Sequence, residues 1–423
     1  MDGRIVALAL PALGALAADP LVSIVDTAFV GRLGVVPLAA LGVNTSVFAL
    51  AFVVFNFLAY GTTPLVARAV GRGDREAAGD LALHALTLGL VAGIGALVLL
   101  QLLAEPVLAA MGASGELRAP ALTYLRIRAC AGPAVLLVTA GHGIFRGWQD
   151  TRTPLIVTLG LNAVNLVLDP LLIFGFGWGL AGAAIATVIA QWVGALWFLR
   201  LILGTRREAL GVRLHRPRLA DLVPLGRVGG ALLIRTLSLI GTMTLATATA
   251  TRMGVLAVAA HQVAMQLWLL LALVVDALAV AGQAMIGEAP REEARRIARR
   301  LLLWAAGVGA VLALSFAVGR PWLPRIFTDD PEAISRVDEL LPFIIFMQPL
   351  NAFVFVWDGI FMGAGAFRYL AVQMVLSSAV AAALLLLSVP LGWGLPGVWW
   401  AIVALMATRA VTLGLWHARG RVP

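Results

Sequence analysis

The sequence predicts an all-α polytopic membrane protein, with twelve transmembrane helices in two six-helix lobes related by a parallel pseudo-two-fold repeat. Three observations predict it. The 423 residues are 61% hydrophobic and 13% charged, with a mean hydropathy of +0.96, against roughly 25% charged residues in a soluble domain. Apolar runs longer than about 18 residues, the length a helix needs to cross a bilayer, recur along the chain; a β-barrel would show short alternating strands instead. Finally, the two halves resemble each other in register.

Taken in order, the apolar segments fall near 4–30, 38–67, 79–104, 121–145, 153–175 and 179–203, and then 221–250, 255–287, 294–318, 334–363, 368–390 and 395–417. Arginine-rich connections lie at Arg68–Arg75, Arg146–Arg152, Arg200–Arg227 and Arg291–Arg300, with a tail at Arg419–Arg421. These all fall on the side of the N-terminus, so both termini are expected in the cytoplasm of a bacterial or archaeal cell, with the chain in its inner membrane. Asp329, Asp330, Glu332, Asp338 and Glu339 lie in the longest loop of the opposite side. Met1-Asp2-Gly3-Arg4 leads straight into an apolar segment too long for the core of a cleavable signal, so none is expected. The most polar stretch, Arg200–Arg227, holds His215-Arg-Pro-Arg218 and divides the chain into an N-lobe at 1–205, a linker at 206–220 and a C-lobe at 221–423.

Four matches join the halves. Thr27-Ala-Phe-Val-Gly-Arg-Leu-Gly-Val35 pairs with Thr247-Ala-Thr-Ala-Thr-Arg-Met-Gly-Val255, and Arg75-Glu-Ala-Ala with Arg291-Glu-Glu-Ala. Gly143-Ile-Phe-Arg-Gly pairs with Gly359-Ile-Phe-Met-Gly, and Gly177-Trp-Gly-Leu-Ala-Gly182 with Gly392-Trp-Gly-Leu-Pro-Gly397; the offset stays between 215 and 220. Six helices is an even number, so both halves enter from the same side. Such parallel repeats suit an alternating-access carrier.

Charge and cysteine content exclude several classes. The net charge of +9 is carried by arginine alone and gathers in alternate loops, which is a membrane-orientation pattern and not a nucleic-acid surface. The one cysteine, Cys130, rules out an internal disulfide and argues against a cysteine-built metal site. No Walker loop, HExxH or CxxC pair occurs, so no enzyme is signalled and no metal or organic cofactor is expected beyond a coupling ion.

Polar groups that differ between duplicated halves are better functional candidates than those the scaffold shares. Asn162, Asn165 and Asp169 are spaced i, i+3 and i+7, one stripe on a helix. Their counterparts are Ser378, Ala381 and Leu385, and Asp26 corresponds to Ala246. A carboxylate inside a membrane helix costs roughly 2.5–3.5 kcal/mol on insertion scales and usually faces a partner or a watery cavity. At 1.5 Å per residue, Asp26 lies roughly 33 Å along its helix from Arg4 and Asp169 roughly 24 Å from Thr153, both in the outer half of the membrane. Plainer readings stay open. Asp26 caps a helix end or pairs with Arg32, the asparagines are interhelical hydrogen-bond glue, and Asp169-Pro170 ends a helix. Asp19, seven residues before Asp26, shares its face, but Asp-Pro pairs also favour turns. The second half has its own polar set, Arg235, His261, Asp276 and Asp358, with Arg235 expected to partner Asp276 or Asp358 and the histidines, His142 included, expected as satisfied core groups.

At these residues the chain resembles the multidrug and toxic compound extrusion (MATE) family. The resemblance rests on Pro11, on Leu21-Val-Ser-Ile-Val-Asp26-Thr-Ala-Phe-Val-Gly-Arg-Leu-Gly34, on Gly143–Arg152 and on Asn165-Leu-Val-Leu-Asp169-Pro170. The Val-Asp-Thr-Ala and Ala260-His-Gln262 contexts look like the family's DinF branch. The resemblance implies export of cationic or amphipathic compounds in exchange for H⁺ or Na⁺. It places a proton-linked site at Asp26, Asn165 and Asp169, with Asn162 and Thr187 on the cavity, His142 where some relatives carry asparagine, and Pro11 as the bending proline of the first helix. Asp276 and Asp358 are similar, more loosely, to a cation site of other branches.

A carboxyl pair in an apolar cavity is suited to binding and releasing a proton. The expected cycle takes up a proton at Asp26 and Asp169 from outside, bends the first helix at Pro11, expels substrate and resets by releasing the proton inside. Expected partners are apolar cations, drawn to carboxylates and to aromatic or methionine surface and not to a basic pocket, and membrane lipids; nucleic acid is not expected, and the chain is expected to be a monomer. Two alternatives remain: a lipid-linked oligosaccharide flippase of the wider superfamily, and a membrane scaffold without transport activity.

Overall fold

A computed structural model describes residues 1–215, 217–326 and 331–420. Asp329, Asp330, Arg216 and Arg421, assigned above to loops, lie outside the described residues. The chain is nearly all helix. In order, α1 is Asp2–Gly31, α2 Val35–Gly71, α3 Arg75–Leu102, α4 the pair Gly115–Ala129 and Gly132–Gly147, α5 Arg152–Gly175 and α6 Gly179–Thr205. These are followed by α7 at Leu219–Arg252, α8 at Val255–Glu288, α9 at Arg291–Gly319, α10 at Ile334–Gly363, α11 at Phe367–Ser388 and α12 at Gly394–Ala418. Among the described residues, 11 helices are long and apolar enough to cross a membrane, and the bent pair α4 makes 12.

Local sequence explains the departures from straight helix. The expected single helix at 121–145 is bent by 48° between Ala129 and Gly132, where Pro133 cannot donate into the preceding turn and Gly132 has no side chain to resist the bend. Pro11 and Pro20 lie inside a continuous α1, each leaving one carbonyl of the previous turn without its helical donor. Asp74 starts α3 by accepting from the Ala77 amide at 2.9 Å, and Asp150 starts α5 by accepting from the Thr153 amide at 2.8 Å. The helical turn Leu171–Gly175 carries α5 beyond Pro170, so Asp169-Pro170 does not end the helix.

The contacts divide the chain into two compact units, Leu10–Gly229 and Met1–Ala9 with Gly230–Pro423. The boundaries differ from those expected. They fall inside α1 and α7, and residues 206–220 are folded into the first unit. There Leu210 and Val212 are buried in its core, and Arg206 donates to Asp150 Oδ2 at 2.8 Å. The segment is polar because its arginines answer local carboxylates: Arg213 also reaches Glu76 at 2.9 Å.

Each unit repeats one helix crossing. In the first, a Cβ on Gly143 would stand 2.9 Å from the Leu58 carbonyl and 3.0 Å from that of Ala59, and one on Gly147 would stand 2.9 Å from the Thr63 carbonyl and 2.6 Å from Val66 Cβ. In the second, a Cβ on Gly359 would collide with the Ala279 carbonyl, and one on Gly363 would stand 3.0 Å from the Gln283 carbonyl and 2.9 Å from Ile286 Cβ. Ala59, Thr63 and Val66 thus become Ala279, Gln283 and Ile286, while the two glycines recur on the opposing helix. Without a hydrophobic drive between helices in lipid, such backbone-to-backbone contact is a principal source of packing. Gly359→Ala should therefore destabilise the protein by about 1–3 kcal/mol. Gly241→Ala, whose Cβ meets nothing within 4 Å, should be neutral or slightly stabilising. Thermal unfolding in detergent reads both, and equal midpoints for the two variants would contradict the packing account.

Candidate functional site

The first unit encloses a cavity of about 400 Å³. α1 contributes Asp19, Ser23 and Asp26 to it, α2 Thr45, Phe48 and Phe52, α4 Tyr124 and Arg128, α5 Asn162 and Asn165, and α6 Thr187 and Gln191. All twelve lie within Leu10–Gly229.

The asparagine stripe of α5 faces the carboxylates of α1 one for one. Asn162 Nδ2 donates to Asp19 Oδ1 at 2.9 Å. One turn further, Asn165 Nδ2 donates to Asp26 Oδ1 at 3.0 Å and to Asp169 Oδ2 at 2.7 Å. Helical spacing produces this pairing: Asp19 and Asp26 are seven apart, and Asn162, Asn165 and Asp169 sit on one face. Asp169 is fully buried at 0% exposure and Asn165 at 3%, while Asp26 opens onto the cavity. The Asp26 and Asp169 carboxyl groups thus meet at one amide nitrogen, and the second Asp169 oxygen, Oδ1, is buried without a hydrogen-bond partner. The Asn165 amide therefore ties α5 to α1 between two carboxyl groups.

The structure brings Asp26, Asn165, Asp169, Asn162 and Thr187 together. The Thr187 hydroxyl faces the cavity and donates to the Ala183 carbonyl at 3.0 Å. His142 lies off the cavity wall, where its Nε2 meets the Thr158 hydroxyl at 3.2 Å and its ring packs edge-on against Phe198. Pro11 is not on the wall either; it lies two residues past the point where α1 passes from one unit to the other. The sequence reading passed over Arg128, Tyr124 and Gln191. It held Asp19 back for its Asp-Pro context, but α1 is helical through Pro20, and so Asp19 stays on the face of Asp26. The expected carboxylates and aromatic surface are joined on the wall by one basic group, Arg128, whose guanidinium lies 5.1 Å above the centre of the Phe48 ring. The apolar wall mixes aromatic residues, Phe48 and Phe52, with aliphatic ones such as Leu41 and Leu161, and has no methionine among its lining residues.

The polar set of the second unit is arranged differently. Asp358 Oδ2 accepts from both Arg235 and Arg409, Arg409 being fully buried. Asp276 lies close enough to act electrostatically on Arg409. Arg235 thus has the partner expected of it, and Arg409 is the residue that went unnoticed. With two guanidinium groups on its oxygen, Asp358 is already neutralised. His261 Nε2 meets the Thr247 hydroxyl at 3.3 Å and the ring packs against Trp399, but its buried Nδ1 has no hydrogen-bond partner, so the residue is in the core as expected and only half satisfied there. Where the first unit carries Asn165 and Asp169, the second carries buried Ala381 and Leu385.

Comparison with known proteins follows the same outline. The family model described as MatE matches twice, at residues 11–171 and 231–387. The two starts are 220 residues apart and the two ends 216, the spacing of the internal repeat. "Protein DETOXIFICATION 44, chloroplastic" of Arabidopsis thaliana is 34% identical, covering 98% of this chain and 81% of its own length. "DNA damage-inducible protein F" of Escherichia coli (strain K12) is 30% identical over 98% of this chain and 92% of its own. A solved structure, described as the outward-facing conformation of a multidrug resistance MATE family transporter of the MOP superfamily, superposes with a TM-score of 0.88 at 25% identity. It covers 99% of this chain and 95% of that one.

Proposed function

Since the chain belongs to the MATE family, we propose that it exports cationic or amphipathic small molecules across a cytoplasmic membrane in exchange for protons, with Asp26 and Asp169 as the coupling site. The observation that carries the reading is the buried amide of Asn165, held between Asp26 at 3.0 Å and Asp169 at 2.7 Å. A proton and an organic cation both neutralise the same carboxylates. When the proton is on the pair, a bound cation loses its counter-charge; when the pair is ionised, the cavity attracts a cation. That competition is the chemical requirement of antiport, and alternating access of the cavity to the two faces turns it into directed export. Each proton entering down the potential supplies about 2.3 kcal/mol per 100 mV.

A proton suits the site better than Na⁺. An alkali or alkaline-earth cation needs a shell of oxygens, and here an N–H donor stands between the two carboxyl groups. Arginines in the turns after α2, α4, α6 and α8 favour placing that side, with both termini, in the cytoplasm.

The test is accumulation of a fluorescent cation in inside-out vesicles, with ΔpH and Na⁺ varied independently. Transport should follow ΔpH and be indifferent to Na⁺. A dependence on Na⁺ without ΔpH would reject the proton pair as the coupling site, and no movement of any cation would reject export itself.

A further inference from the structure

The two copies of the repeat differ in charge at one membrane-facing helix, α9. Its counterpart is α3, and a shared contact fixes the register. A Cβ on Gly93 of α3 would stand 2.5 Å from Pro133 Cα, and one on Gly309 of α9 would stand 2.8 Å from Pro349 Cα. In that register Arg296, Arg299 and Arg300 take the places of Asp80, Leu83 and His84, so the scaffold does not require the arginines. In the first unit this face is covered by protein: Arg213 lies 3.9 Å and His215 3.8 Å from Asp80. In the second unit all three arginines are exposed. Among the described residues Arg296 and Arg299 form no ion pair. Arg300 gives Asp2 two of its five donors, through Nε at 2.6 Å and Nη2, and keeps three. Glu292 and Glu293 lie in the first turn of α9, where they offset the positive end of the helix.

An apolar groove begins at Arg300 and Trp304. It runs along α9 beside Val274 of α8, has a volume of about 640 Å³, and is lined by Leu303, Gly307 and Val311. Arg296, Arg300, Leu303, Gly307 and Val311 follow helical spacing and form one stripe. A Cβ on Gly307 would meet nothing within 4 Å, so the groove is open at its middle. Leu303 and Val311 are 57% and 62% exposed. The depth fits a lipid. Leu301–Val318 carries no charge and spans about 27 Å of helix, close to the thickness of the hydrocarbon core. Arg296–Arg300 therefore lie at the level of the phosphates of one leaflet, and basic pockets at that level suit anionic headgroups. We propose that this groove binds an anionic glycerophospholipid, with its phosphate on Arg296 and Arg300, Arg299 adding charge, and one acyl chain along Gly307. A zwitterionic lipid fills the same groove but brings a cation of its own to the arginines. The proposal does not depend on the export reading above.

The experiment titrates the purified full chain in detergent with phosphatidylglycerol or with phosphatidylcholine of the same acyl chains, and reads the rise in unfolding midpoint that binding produces. The wild type should bind phosphatidylglycerol roughly thirtyfold more tightly, the effect of two arginines near a membrane surface. Arg296→Gln combined with Arg299→Gln should remove most of that preference, and Arg296→Lys combined with Arg299→Lys should keep part of it. Gly307→Leu should weaken both lipids and leave the lipid-free midpoint unchanged, because its side chain enters open space. Arg152→Gln, at an exposed arginine of the first unit, should keep the full preference. Equal affinity for the two lipids in the wild type overturns the proposal even if no variant folds. An equal loss of preference in Arg152→Gln and in the α9 variant overturns it as well, by reducing the effect to diffuse surface charge. If inorganic phosphate alone raises the midpoint as phosphatidylglycerol does, and Gly307→Leu changes nothing, the arginines take a free anion and the lipid assignment fails.

Discussion

Asp26→Asn should insert into the membrane in wild-type amounts and lose ΔpH-driven efflux to background. The substitution keeps the volume of the side chain and leaves an oxygen to accept from Asn165. It removes one of the two carboxyl groups that share the Asn165 amide, and with it the site of proton binding under the proposed mechanism. Asp19→Asn is the informative comparison. It takes a negative charge from the same cavity without touching the Asp26–Asp169 pair, so it should weaken cation binding and leave the dependence on ΔpH in place. Efflux at the wild-type rate in Asp26→Asn would place coupling elsewhere in the chain. Loss of ΔpH dependence in both variants to the same degree would reduce the effect to general electrostatics.

Asp358→Leu should be the most damaging single change in the second unit. It removes the carboxylate that both Arg235 and Arg409 bond, and breaking a buried pair by removing one partner costs about 3–5 kcal/mol. Arg409 has no exposure to water, and its other contacts, the Met406 sulfur at 3.3 Å and the Phe355 ring at 5.7 Å, are weak substitutes. The loss should appear as a lower unfolding midpoint and poor recovery in detergent. Adding Arg409→Met should regain part of it, since replacing buried ions with well-packed apolar groups is often neutral or stabilising. A midpoint for Asp358→Leu equal to that of the wild type would show that the two arginines are answered by water and that the triad is not structural.

Much of the fold was legible because the two strongest signals are properties of single segments. Apolar length marks each span, and glycine at a fixed offset marks each repeated crossing. The residues proposed for coupling stand out for a different reason: the second half provides an internal control in which Ala381 and Leu385 stand where Asn165 and Asp169 do. Where no such contrast existed, the sequence said less. Arg128 lies near the start of the expected span at 121–145, where an arginine reads as an interfacial anchor. Only the 48° bend of α4 and the packing beyond it turn the residue inward. Arg409 reads as a residue near the end of a helix, and its partner Asp358 is 51 positions away, a separation that no periodicity connects. The linker at 206–220 was judged by its charge, but those charges are used within the first unit, on Asp150 and Glu76. Asp19 was discounted because proline follows it, although a helix tolerates proline where the freed carbonyl finds another donor or stays hydrated.

The repeated glycine crossing also shows where the chain accommodates a change in length. Between Val66 and Arg75 there are eight residues, and between their counterparts Ile286 and Arg291 only four. The missing four come out of the end of α2 and the turn into α3, where Gly71 through Arg75 are all exposed. The crossing glycines keep their positions on either side, so neither helix was rotated by the change. Evolution has in effect performed an insertion experiment at this turn. An epitope or a fluorescent reporter placed after Gly73 should be carried there without disturbing the bundle, in a turn that faces the cytoplasm under the proposed topology.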